Sequence, residues 1–244
     1  MPVAAVTYDF LSPRRSAAKG AATARVHDAL REAIVQLDLK PGEVLDKQAI
    51  AARMGVSRFP VGEAMNRLAA EGLVDIIPQS ASRVALIKIS VARENMFLRR
   101  ALEVEAVRWL APQASPGLID QLACNLRYQE AAVEAKDLKG FHGFDLAFHA
   151  LLQDHLGFER VRNATDAARL GLDRVRRLLN TRRRLDLTLA EHKAILVALA
   201  ARDGTAAARA MSHHLDAVMA ELETFACDRP ELFADLNNMG APET

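Results

Sequence analysis

Cysteine, aromatic residues, long apolar runs and charge of one sign are all scarce in this chain, and each scarcity removes a class of protein. Two cysteines, Cys124 and Cys227, in 244 residues make no disulfide framework and read as reduced thiols of a cytoplasmic protein. No stretch of about 18 apolar residues occurs, so no membrane-spanning helix and no membrane partner is expected. Residues 1–22 hold Pro, Ser and basic residues without an apolar stretch; they do not read as a signal peptide but as a mobile arm. Aromatics make up only 5%, and the weight of Ala and Leu favours helices over sheets. The 32 basic side chains face 31 acidic ones for a net charge of +1, and residues 24–88 carry nine against eight. Nucleic-acid binding is therefore neither required nor excluded by charge, and rests on where the bases sit.

What is present is core-forming material. Half the residues are apolar and 26% are charged, which excludes disorder as the main state and suits one or two domains. Apolar periodicity predicts a helix over residues 23–37, capped by Thr23, with Val26, Leu30, Ala33, Ile34 and Leu37 on one face. Pro41-Gly42 ends the following connection. A short helix runs from about Asp46 to Met54, with Gly55 as its C-cap. Ser57 caps a third helix that reaches Glu71, with Pro60 in its first turn. Two β-type runs follow, Leu73 to Ile77 and Arg83 to Ile87. Three helices and a hairpin match a winged helix-turn-helix, although a small α+β domain without a DNA role has the same order.

From Ser90 the pattern is helical throughout, with helices expected over 91–111, 117–136, 141–156, 159–182, 188–202 and 205–227 and a short seventh after Pro230. The fold class expected is mainly α: an N-terminal winged helix-turn-helix followed by an all-helical antiparallel bundle of six or seven helices. The expected divisions are an arm (1–22), the DNA-binding domain (23–88), the helical domain (89–228) and a tail (229–244).

Two sets of residues carry chemistry. In a helix-turn-helix the N-terminal residues of the second helix of the motif meet base edges. Arg58 then sits where a guanine contact originates, Ser57 where a phosphate is met, and Arg67 near the other backbone. Taken alone, the two arginines equally suit a solvated helix face. In the helical region Asp145 and His149 are four apart and project from one helix face. His192 and His214 flank the Asp203-Gly204 turn at nearly equal distance, so an antiparallel hairpin brings them to one height. One carboxylate and three imidazoles suit a divalent transition metal: Zn²⁺, Ni²⁺, Mn²⁺ or Fe²⁺, with Zn²⁺ and Ni²⁺ foremost. His213 points elsewhere, and Glu191 either supports the site or caps its helix. Nine arginines lie between 160 and 184; most read as a solvated face, with one or two free to turn inward.

Three stretches resemble the GntR family of bacterial transcriptional regulators. They are Leu37-Asp38-Leu39-Lys40-Pro41-Gly42, Ala51-Ala52-Arg53-Met54-Gly55-Val56-Ser57-Arg58-Phe59-Pro60-Val61 and Leu68-Ala69-Ala70-Glu71-Gly72-Leu73-Val74. The resemblance implies a winged helix-turn-helix that binds operator DNA as a homodimer. Two departures stand out: Gly62 occupies a position usually held by a DNA-contacting Arg, and Ser80-Ala81 replaces an Arg-Gly pair in the wing, where Arg83 compensates in part. Arg99-Arg100-Ala101-Leu102-Glu103, Asp145-Leu146-Ala147-Phe148-His149, Glu191-His192 and Met211-Ser212-His213-His214-Leu215 look like the FCD effector domain of the FadR-type branch. That resemblance implies a small organic acid effector beside a metal held by Asp145, His149, His192 and His214, with Arg99 as carboxylate partner. Phe158 replaces an Asn and is expected to pack in the core. The function implied is a transcriptional repressor controlled by effector and metal and not an enzyme; the alternatives are a metal-dependent enzyme, or an effector-binding protein with degraded DNA binding.

Overall fold

The computed structural model describes residues 8–11, 21–77 and 81–236. The chain divides into two compact units, one holding residues 1–88 with 229–244, the other residues 89–228.

The first unit is built on α1 (Ala21–Val35), α2 (Lys47–Met54) and α3 (Arg58–Ala70). Val26, Leu30 and Ile34 of α1 meet Ile50 and Met54 of α2 and Val61, Ala64, Met65 and Leu68 of α3 in one buried cluster. These spacings put each apolar set on one helix face. Thr23 does not cap α1, which already begins at Ala21. Leu37 falls outside the helix at φ 64°, and Leu39 takes the buried place beyond it. Asp46 caps α2 by accepting from the backbone N–H groups of Gln48 and Ala49 at 2.8 and 3.1 Å, and Gly55 closes it in the left-handed region at φ 64°. That conformation costs glycine no Cβ clash.

A three-stranded antiparallel sheet completes the unit: β1 (Val44–Leu45), β2 (Val74–Asp75) and β3 (Ser82–Val84), in the order β1-β3-β2. The two expected β runs shorten to β2 and β3, whereas β1 has no period to read in two residues. The connection from β2 to β3 includes Ser80, which lies outside the described residues, and Ala81, which is exposed. Tyr8 and Leu11, expected in a mobile arm, are instead buried in the core. The Tyr8 hydroxyl accepts from the Asp46 N–H at 2.9 Å, and Arg53 donates to the carbonyls of Tyr8 and Asp9. Residues 1–7 and 12–20 of the expected arm lie outside the described residues. The chain returns to this unit after residue 228: a 3₁₀ turn at Pro230–Leu232 leads to a parallel bridge between Phe233 and Ile87.

Gly62 lies inside α3, and a Cβ built there meets nothing within 4 Å. Gly62→Ala is expected to stabilise this unit by about 0.4–1 kcal/mol by narrowing the unfolded ensemble. A lower unfolding midpoint for the variant in calorimetry would contradict this.

The second unit contains α4 (Ile89–Leu110), α5 (Pro116–Glu134), α6 (Leu138–Leu156), α7 (Glu159–Leu170), α8 (Asp173–Leu178), α9 (Arg182–Ala200) and α10 (Gly204–Asp228). α10 packs along α4 and α9, and α5 along α6 and α9. Three expectations change. The single helix over 159–182 is two, because the chain turns at Gly171-Leu172 to bury Leu172. The break expected up to Leu187 ends at Thr181, whose side chain accepts from the Arg184 N–H, so α9 begins six residues early. Phe158 is not in the core: it is 49% exposed and rests against Trp109. Cys124 and Cys227 are free thiols. Among the described residues no helix is long and apolar enough to cross a membrane.

Candidate functional site

Five helices of the bundle bring the imidazoles and their anchors together, α5 through Gln129. α6 presents His142, Asp145 and His149 on one face, at spacings of three and four residues. α9 contributes Arg184, Thr188 and His192, each four residues apart. His214 comes from α10, while Arg99 and Glu103, one turn apart, come from α4. All of these side chains are buried. His192 lies mid-helix rather than near the start that a helix over 188–202 implies, because Thr181 starts α9 early.

The ligand atoms of His149, His192 and His214 lie within 4.8 Å of one another. Asp145 Oδ1 is 4.0 Å from His149 Nε2 and 3.7 Å from His192 Nε2. Each imidazole is held from behind. His149 Nδ1 pairs with Glu103 Oε2 at 2.5 Å, His192 Nδ1 with Gln129 Oε1 at 2.9 Å, and His214 Nδ1 with Glu191 Oε2 at 2.7 Å. All three partners are acceptors, so each Nδ1 carries the proton and donates, which leaves the lone pair on Nε2. All three Nε2 atoms are buried with no hydrogen-bond partner. Phe148 stacks on His192 with ring centroids 4.1 Å apart and fixes the ring plane.

Burial lowers the His149 pKa to about 4 and pushes His192 and His214 well below the ordinary value. Burial alone would raise the Glu103 carboxyl, but Arg99 and His149 outweigh it and hold it well below the usual carboxylate range. The imidazoles are therefore neutral ligands near pH 7. Donors bound to one ion at about 2.0–2.2 Å lie within roughly 4 Å of each other, so the three imidazoles, within 4.8 Å of one another, need to close by less than about 1 Å to take a transition metal. Glu103, Gln129 and Glu191 are the outer partners that orient such ligands.

Arg99 is fully buried and donates to Glu103 at 2.6 Å, while its Nη2 has no partner. Arg100 is exposed on the neighbouring face. The arginine-rich stretch turns more groups inward than expected. Arg169 is buried, Arg176 pairs with Asp145 Oδ2, and Arg184 donates to Glu191 at 2.5 Å. Burial lowers Arg169 to about 10 and Arg176 to about 9, so both are cations at neutral pH. With His142, Asn180 and Thr188, Arg176 and Arg184 line a pocket that reaches Asp145 and His214. Four interior guanidinium groups face three carboxylates (Glu103, Asp145, Glu191), a surplus that suits an anion. Sequence reasoning placed Arg184 in a loop, which hid its register with Thr188 and His192. Gln129 left no signal at all, as a lone amide in a helix.

In the first unit Ser57 stands at the start of α3, and its hydroxyl makes no capping bond. Arg58 and Arg67 are exposed, with Arg58 donating to Gln48 at 2.8 Å. Arg83 is exposed on β3 and donates to the Gly42 carbonyl.

Residues 22–84 match the bacterial regulatory proteins of the gntR family, and residues 94–217 match the FCD domain. An uncharacterized HTH-type transcriptional regulator in an unstable DNA locus of Streptomyces ambofaciens is 36% identical over 84% of this chain and 86% of its own length. The chain belongs to the GntR family. The GntR domain followed by an FCD domain makes it a DNA-binding transcriptional regulator, and its relatives are regulators, not enzymes. The HTH-type transcriptional repressor RspR of Escherichia coli K12 is 31% identical over 86% of this chain and 93% of its own. Among solved structures, a GntR transcriptional regulator from Rhodococcus sp. RHA1 has a TM-score of 0.65 at 25% identity, covering 83% of this chain and 97% of that one. E. coli McbR/YncC shares the fold, with a TM-score of 0.64 at 20% identity over 84% and 98%.

Acid stability follows from the buried imidazoles. Burial lowers His142 to about 3 and His149 to about 4, against 6.5 for a free imidazole. Between 6.5 and those values the unfolded chain binds more protons than the folded one, so stability falls as pH falls through this window. In the presence of a chelator, the urea midpoint is expected to be level above about pH 7 and to drop steadily towards about pH 4. A midpoint unchanged over that range would contradict the burial of neutral rings.

Proposed function

We propose that this GntR regulator is a repressor whose operator affinity is set by a small carboxylate bound beside a divalent transition metal. The observation that carries the reading is the convergence of three buried Nε2 atoms, each made a lone-pair donor by the acceptor behind it. An unsatisfied buried polar atom costs about 1–3 kcal/mol, and an ion held by His149, His192, His214 and Asp145 removes that cost three times over. Zn²⁺ and Ni²⁺ suit imidazole-rich sites best, and Mn²⁺ and Fe²⁺ fit the same set. When bound, the ion supplies a Lewis-acidic contact for an anionic oxygen.

The protein's own groups do the rest. Arg176 and Arg184 line the pocket beside Asp145, where a planar guanidinium matches a carboxylate in two-point contact. Arg99 lies deeper, locked to Glu103, and provides charge rather than a direct contact. Ser57, Arg58, Arg67 and Arg83 serve the DNA side: Ser57 and Arg67 at phosphates, Arg58 and Arg83 at base edges or backbone. Two copies reading two half-sites make the working unit a homodimer. The effector controls binding because it interacts unequally with two arrangements of that dimer. The repressor sign follows RspR and the gluconate operon transcriptional repressor of Bacillus subtilis, which is 29% identical over 58% of this chain.

Fluorescence anisotropy tests the reading, with a labelled duplex from upstream of the protein's own gene, a scrambled duplex and two salt concentrations. Preferential binding to the native duplex that weakens or strengthens at least about five-fold on chelation is expected, the low end of ordinary coupling between sites. Specific binding indifferent to chelator, Zn²⁺ and Ni²⁺ would remove the metal from the control of this protein.

A further inference from the structure

α3 presents an aromatic side chain where a DNA-reading helix usually presents polar ones. Its buried residues, Val61, Ala64, Met65 and Leu68, mark the inward face. At about 100° per residue, the line opposite that face runs through Phe59, Glu63 and Asn66, with Arg58 and Arg67 to its two sides. Phe59 therefore stands at the crest of the outward face, in the first turn. It is 75% exposed, the most exposed large apolar side chain among the described residues. Gly62, one turn on, adds no side chain beside the ring, and a Cβ there would meet open space. Arg58 is turned back to Gln48 of α2.

Among the described residues the Phe59 ring stacks on no other aromatic ring, and hydrogen-bond readout is closed to it. Major-groove edges offer one apolar feature, the C5-methyl group of thymine, and apolar side chains including Phe recognise it. We propose that Phe59 is a specificity-determining residue that reads a thymine methyl in the operator half-site, with Gly62 leaving room for the ring to lie against it. This rests on the reading of α3 as the DNA-contacting helix. The basic groups around it, Arg58, Arg67 and Arg83, hold the duplex while the ring selects this one base.

The test starts with full-length protein and selection from a random pool of unmodified duplexes. Each thymine of the selected site is then replaced in turn by deoxyuridine, which removes only the methyl group. Wild-type protein is expected to lose about four-fold in affinity per methyl at one position of the half-site. Phe59→Ala is expected to bind both duplexes alike, at the wild-type affinity for the deoxyuridine duplex, while Phe59→Leu retains part of the discrimination. The salt dependence should be equal in all three, because no phosphate contact changes. The proposal is overturned if Phe59→Ala keeps the wild-type ratio between the two duplexes, or if no thymine shows a ratio with wild-type protein. Selection of no sequence by the wild type would overturn the DNA-reading role of α3 itself, which separates that failure from the failure of Phe59.

Discussion

Replacing His192 with alanine is expected to lower Zn²⁺ or Ni²⁺ affinity by more than about a hundredfold, beyond the range seen when only an outer partner is lost. His192 is the imidazole most firmly fixed in the cluster. Its ring stacks on Phe148, its Nδ1–H is held by Gln129, and its Nε2 lies 3.7 Å from Asp145. Gln129 is fixed in turn by a 2.7 Å bond to Asn125, which donates to the Phe144 carbonyl. Gln129→Ala should therefore cost about 10–100-fold in affinity, because the ring loses its orientation but keeps its ligand atom. Competition titration against a chromophoric chelator measures both. Binding to N alone also stabilises it, by about 2.7 kcal/mol at a hundredfold excess over Kd, so metal should raise the wild-type unfolding midpoint and leave that of His192→Ala unmoved. Wild-type affinity in His192→Ala would place the metal elsewhere.

Glu103→Ala should destabilise the helical unit by about 3–5 kcal/mol, a large share of the stability of an ordinary domain. The reason is not the ion pair itself but what its loss leaves behind. Arg99 has no exposed surface, and Glu103 is its hydrogen-bond partner. The same carboxylate accepts from His149 Nδ1 on its other oxygen. Removing it strands a buried cation and unties a ring at once. Replacing the pair together, as Arg99→Met with Glu103→Leu, is expected to recover much of the loss, because no charge is then stranded. Urea denaturation of the three variants in chelator gives the comparison. A Glu103→Ala variant within about 0.5 kcal/mol of wild type, the range of neutral surface changes, would mean that water or a local rearrangement serves Arg99.

Much of the site was legible because helical spacing is a one-dimensional signal. Asp145 and His149 share a face at four residues' separation, and the Asp203-Gly204 turn sets His192 opposite His214 without reference to any other helix. The helix-turn-helix was legible for the same reason: Asp46 and Gly55 punctuate it locally. The failures have a common cause as well. Thr181 starts α9 by offering its side-chain oxygen to the Arg184 N–H, and a misplaced start hid the Arg184, Thr188, His192 row. Gly171-Leu172 divides an otherwise continuous pattern because Leu172 finds a buried place. Tyr8 and Leu11 looked unstructured because two apolar residues carry no period, yet the core of the first unit accepts both.

The sequence by itself determined the two-part organisation, the helix faces, the residue types able to ligate a metal and the family to which they belong, since each depends on neighbours within a few residues. Tertiary structure decided which of nine clustered arginines turn inward, that Glu103 supports His149 while Glu191 supports His214, and that Gln129 orients His192. Those pairings join residues 46 and 63 positions apart. Only packing, which charges a high cost for every buried polar group left unpaired, selects among such distant partners.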